Sequence, residues 1–146
     1  MMLKPVINLF FFLLIVVTGN VCAQNAAIIG QWQTIDDETG KPKSIVQIDE
    51  QGGKVYGKIV QLFRKPGENP DPICRKCTDH RKNQKIIGMV ILEQLEPKGQ
   101  EWSGGKILDP ANGKIYDCKI WLEAGQLKVR GYLGLFFRTQ TWQRIK

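Results

Sequence analysis

The chain carries one histidine, His80, so no mechanism that needs two imidazoles can be built within it. It has no Gly-x-Ser-x-Gly elbow, no His-Glu-x-x-His pair and no phosphate-cradling glycine loop. The commonest hydrolase, metalloprotease and nucleotide-binding signatures are thereby excluded. No stretch shows the three-to-four-residue apolar spacing of a convincing helix. No apolar run reaches the roughly 20 residues of a membrane-spanning helix. Charged and hydrophobic residues, at 24% and 42%, sit near ordinary globular values, which excludes both a disordered chain and a multi-pass membrane protein. A length of 146 residues suits one domain.

What the first residues do contain reads as an export address. Lys4 supplies a positive start, Val6–Val17 an apolar stretch, and Val21-Cys22-Ala23 the small residues of a cleavage site. Residues 1–23 are therefore expected to be a cleavable signal peptide, and 24–146 a single domain with no transmembrane anchor after cleavage. Cys22 does not fit a lipid-anchor site, because Val21 stands just before it and Gly19 further back, the reverse of the required order. The expected location is the periplasm or the medium, where disulfides are allowed and nucleic acid is not an expected partner.

The whole chain has 15 glycines and seven prolines, and beyond residue 23 they fall among short apolar runs, between alternating segments. Turn residues follow Gly30–Asp36, Ser44–Glu50, Lys85–Leu95, Glu101–Leu108, Lys114–Leu122 and Gln126–Leu133. Val55–Phe63 leads into a long polar loop, Arg64–Gln84, and Phe136–Ile145 ends the chain. In Lys114–Leu122 the residues Tyr116, Cys118, Ile120 and Leu122 share one face, and Asp117 and Lys119 the other. Strands with one wet and one dry face belong to an antiparallel sheet around a core. About eight of them in succession, with no significant helix, predict an all-β antiparallel up-and-down barrel, which removes both sheet edges. A two-sheet sandwich is the competing closure.

Two sets of residues carry a resemblance. Gly30-Gln31-Trp32 on the first strand, with Arg138 and Arg144 on the last, resembles the lipocalin-like arrangement in which a tryptophan plugs one barrel end beneath an arginine. The ordered set Gly57-Lys58-Ile59, Gly105-Lys106-Ile107, Asp109-Pro110, Asn112-Gly113, Tyr116, Arg130-Gly131-Tyr132-Leu133-Gly134 and Arg138-Thr139-Gln140-Thr141-Trp142 resembles the DUF2147 family of exported bacterial proteins. The resemblance implies barrel-closing roles for Gly30, Trp32, Arg138 and Trp142, and an envelope location, but no activity. Phe137 departs from the family pattern, which has glycine before Arg138, and no helix is expected after the last strand.

Cys74-Arg75-Lys76-Cys77 lies in the longest loop. A local Cys74–Cys77 disulfide is the expected state. A zinc site from Cys74, Cys77 and His80 is the alternative, but its fourth ligand, Cys118, shares a face with Ile120 and should point into the core. A redox pair would want a helix N-terminus, and none is expected here. Asp109-Pro110-Ala111-Asn112-Gly113 and Asp36-Asp37-Glu38 read as turns and not as catalytic acids.

No catalysis and no cofactor are expected. The leading expectation is a binding protein that holds a small apolar or amphipathic molecule in its lumen, with Tyr116, Ile120, Val129, Arg130 and Tyr132 as candidate binding residues. Of these, Arg130 and Tyr132 face outward with Lys128 if the alternation holds. The competing reading is an envelope interaction protein with a filled barrel. Its basic loop, with Arg64, Lys65, Arg75, Lys76, Arg81, Lys82 and Lys85, would meet anionic lipid or polymer.

Overall fold

Alternation decides the architecture. In a computed structural model, which describes residues 25–146, the chain forms eight strands. They are β1 (Gly30–Ile35), β2 (Pro42–Gln51), β3 (Lys54–Leu62), β4 (Val90–Lys98), β5 (Glu101–Asp109), β6 (Lys114–Glu123), β7 (Gln126–Leu133) and β8 (Phe136–Arg144). Each pairs antiparallel with the next, and β1 pairs with β8, so the sheet closes into an up-and-down barrel and not a sandwich. The signal peptide expected over residues 1–23 lies outside the described residues.

The fourth strand differs from the expected Lys85–Leu95. Residues 85–89 bond to the loop and to β3 irregularly: Lys85 bridges Ile73, and the Gly88 amide donates to the Ile59 carbonyl at 2.7 Å. The strand starts at Val90 and runs on through Pro97. Proline is tolerated there because β3 pairs with β4 only as far as Leu95, opposite Val55, so its missing N–H removes no β3 rung.

The two barrel ends are built differently. At one end Trp32 is fully buried, and its indole N–H donates to the Ile28 carbonyl at 2.9 Å. The Arg144 guanidinium lies 4.2 Å from the Trp32 ring centroid and donates to the carbonyls of Ala27 and Ile29. Gly30 has φ +127°, and a Cβ there would sit 3.3 Å from Arg144, so the first residue of the Gly-x-Trp motif has to be glycine. Buried Asn25 ties the segment down by accepting from the Trp102 indole at 2.6 Å. This corrects one assignment: Arg144 covers the tryptophan, whereas Arg138 sits at the opposite end and pairs with Asp37. The two arginines lie on the same strand six positions apart, so the sequence pattern does not say which of them reaches the plug.

At the other end the loop between β3 and β4 folds against the barrel. Cys74 and Cys77 form a disulfide, and both are buried. The Cys74 amide donates to the Gln84 carbonyl at 2.8 Å, and the Asn83 amide to the Cys74 carbonyl at 2.9 Å. The Lys76 carbonyl comes so close to Gly113 that a Cβ there would lie 1.9 Å away. The loop therefore packs on the β5–β6 turn.

Candidate functional site

Residues that alternate into the barrel fill its lower half and leave its upper half open. Trp142 and Val129 are buried at the floor of a cavity of about 460 Å³. Ile59, Ile91, Ile107 and Tyr116 line its walls, and Phe63, Leu133 and Phe136 stand at its rim. Cavities of roughly 300–1,000 Å³ with apolar walls and a few polar groups are the usual form of small-molecule sites.

The polar groups come from β1, β2 and β8. The Thr34 and Ser44 hydroxyls are buried and 2.7 Å apart, each the other's partner across the β1–β2 ladder. Gln140 accepts from the Trp142 indole at 3.2 Å and donates to Asp37 at 3.1 Å. Asp37 also holds Arg138. Lys43, Arg64 and Arg138 border the cavity, with Asp109 as the acid among them.

Two of the five candidate binding residues, Tyr116 and Val129, border the cavity. Ile120 is fully buried in the packed core and does not. Arg130 and Tyr132 are on the outer wall, where the Arg130 guanidinium lies 5.0 Å from the Trp121 ring centroid and 4.5 Å from that of Phe137. Thr34, Ser44 and Gln140 were not expected in the site. Their alternation with buried neighbours was readable, as Trp32-Gln33-Thr34 and Gln140-Thr141-Trp142, but their polar side chains masked it.

The remaining candidates resolve simply. Because Cys74 and Cys77 are joined, their sulfurs are not available as zinc ligands, and His80 is 79% exposed on its side chain. No group of three His, Cys, Asp or Glu side chains able to hold a metal gathers among the described residues. Cys118 is buried, which pushes its thiol up to about 12. The Asp36 carboxylate accepts from the amides of Glu38 and Thr39 and from the Thr39 hydroxyl, and the Thr39 bonds above all hold it below the usual carboxylate range. Asp109 accepts from the Ala111 amide at 2.9 Å. Asp36 and Asp109 thus bond within their own turns, whereas Asp37 reaches across to β8.

The basic loop is less basic at its surface than its composition suggests. Arg81 is buried and bonded to Asp79, to the Val90 carbonyl and to Glu93. Lys85 pairs with Asp71, and Arg64 with Glu68. Lys65, Arg75 and Lys76 are exposed.

Among solved structures, the chain is similar to protein HP1028 from the human pathogen Helicobacter pylori, described as belonging to the lipocalin family. The match has a TM-score of 0.68 at 22% identity and covers 81% of this chain and 82% of that one. No curated protein sequence matches. The family described as an uncharacterized protein conserved in bacteria, DUF2147, matches residues 30–144. With that match spanning the whole barrel, the chain belongs to the DUF2147 family and has a lipocalin-like fold.

Proposed function

We propose that the protein is an exported, non-catalytic binder of a small apolar or amphipathic molecule, held in the upper lumen. The observation that carries this reading is a cavity of about 460 Å³ open at one barrel end, while Trp32 and Arg144 seal the other. A barrel filled throughout would have served the competing reading, of an envelope interaction protein, and the open upper half counts against it. Apolar walls with a few hydroxyl and amide groups suit a molecule that is mostly hydrocarbon, and the cations at the rim suit a polar or anionic end.

Export is part of the proposal. The disulfide agrees with an oxidising compartment. Cleavage after Ala23 would keep Asn25, which the plug needs for its bond to Trp102. No helix among the described residues is long and apolar enough to cross a membrane.

Paired substitutions test the lumen. Ile107 lines the cavity from β5, and Ile115 is 38% exposed on β6 and outside the cavity lining. Titration with the uncharged fluorophore N-phenylnaphthylamine should give saturable uptake in the native protein. Ile107→Trp should weaken that uptake at least tenfold by filling the space, while Ile115→Trp should leave it unchanged. Equal uptake by all three proteins would rule out the lumen.

A further inference from the structure

Hairpin turns on soluble barrels are normally made of polar or small residues, and three turns here obey that rule. They read Gln51-Gly52-Gly53-Lys54, Lys98-Gly99-Gln100-Glu101 and Glu123-Ala124-Gly125-Gln126. The turn between β7 and β8 reads Leu133-Gly134-Leu135-Phe136-Phe137 instead. Leu133 pairs with Phe136, so Gly134 and Leu135 make the two-residue turn, and Gly134 takes the φ of +60° that such a turn favours in its first position. Leu133, Leu135, Phe136 and Phe137 are 52%, 97%, 82% and 60% exposed. Leaving four large apolar side chains in water at one tip opposes the hydrophobic effect, and nothing in the barrel's closure needs them there.

We propose that this hairpin tip docks the protein on a phospholipid surface. Three observations favour lipid over a second protein. The tip is convex and small, and four side chains fall well short of the roughly 20–30 residues a side that a stable protein interface uses. Behind it, on the outer wall, stand Tyr132, whose ring is 6.0 Å from that of Phe137, and Arg130, whose guanidinium lies over both Phe137 and Trp121. An apolar tip followed by Tyr132 and Arg130 matches the order of a membrane interface, with hydrocarbon first and headgroups next. Finally, two acids on the adjoining strand and turn are paired, Asp37 with Arg138 and Asp117 with Lys106 at 2.5 Å. Arg130 is left without a carboxylate partner among the described ion pairs; its Nε donates to the Thr139 hydroxyl at 2.7 Å.

The tip adjoins the cavity mouth, because Leu133 and Phe136 also line the rim. Docking would set that mouth against the lipid. The docking itself does not depend on what the lumen holds, since Leu135 lies outside the cavity lining.

Flotation of the protein as isolated from cells, with vesicles of neutral phosphatidylcholine and of phosphatidylcholine with phosphatidylglycerol, tests the proposal. The native protein should float with both and more strongly with the anionic vesicles. Leu135→Glu should reduce the bound fraction at least tenfold, given the apolar transfer lost and the charge gained. Leu135→Trp should retain or raise it. Both variants share the native N-terminus and alter a side chain that packs on nothing, so their melting temperatures serve as the folding control. Binding that Leu135→Glu leaves intact would overturn the proposal, as would failure of the native protein to float with either vesicle. Self-association abolished by Leu135→Glu, without flotation, would overturn it in favour of a contact between two copies.

Discussion

Trp32→Ala should lower unfolding stability by about 3–5 kcal/mol, the cost of a large aromatic removed from a packed core. The side chain is fully buried and packs with the Ile28 segment beneath the barrel floor. Its loss opens a cavity and leaves the Ile28 carbonyl without its indole donor. It also removes the ring on which Arg144 rests. Chemical unfolding monitored by far-ultraviolet circular dichroism reads this directly. The two last-strand arginines should separate in the same experiment. Arg144→Ala should cost about 1–2 kcal/mol through its ring contact and carbonyl bonds. Arg138→Ala, an exposed pair with Asp37, should cost less than about 1 kcal/mol. A larger effect at Arg138 would contradict the plug described here.

Arg81→Ala should release the long loop and cost about 2–3 kcal/mol. This is less than for a fully buried pair, because Asp79 and Glu93 keep some contact with water. The Arg81 guanidinium is the joint between loop and barrel, bonding Asp79 within the loop and the Val90 carbonyl and Glu93 on β4. Its side-chain hydrogen bond is the main reason that the Asp79 carboxyl falls to about 2 from its ordinary 3.8. A carboxyl lowered on folding adds stability that is complete above its ordinary value and lost as pH falls through the lowered one. The loop should therefore loosen between about pH 4 and pH 2, which limited proteolysis across residues 63–89 would detect. Arg81→Ala should show that loosened pattern at neutral pH and lose the acid-dependent step.

Much of the barrel was legible because its signal is local. Tyr116, Cys118, Ile120 and Leu122 alternate with Asp117, Lys119 and Trp121, and a period of two states which face is dry without reference to the rest of the chain. The strand reading slipped at Lys85–Leu95, where the pairing of Lys85 with Ile73 depends on how the loop folds back. The plug was legible in kind, as Gly-x-Trp with a last-strand arginine, but choosing Arg144 over Arg138 requires the tilt and register of β8 against β1. Arg81 looked like one more surface cation, since neighbouring residues do not reveal that Glu93 will stand beneath it. The cavity was the least legible feature. The same inward residues could fill a small barrel or leave room in it, and the sequence alone does not weigh their packed volume. The β7–β8 tip was visible as an oddity at Phe137, yet its exposure follows only once Leu133 and Phe136 are paired across a two-residue turn.

The most direct test of the lumen is to map where an apolar molecule goes. Backbone amide shifts of the isotopically labelled protein, followed while N-phenylnaphthylamine is added, report on the cavity residue by residue. A binding barrel predicts saturable shifts confined to Ile107, Tyr116, Val129, Gln140 and their inward neighbours, with Ile115, Lys119 and Trp121 on the outer wall unmoved. Shifts confined to the outer wall, or none that saturate, would contradict it.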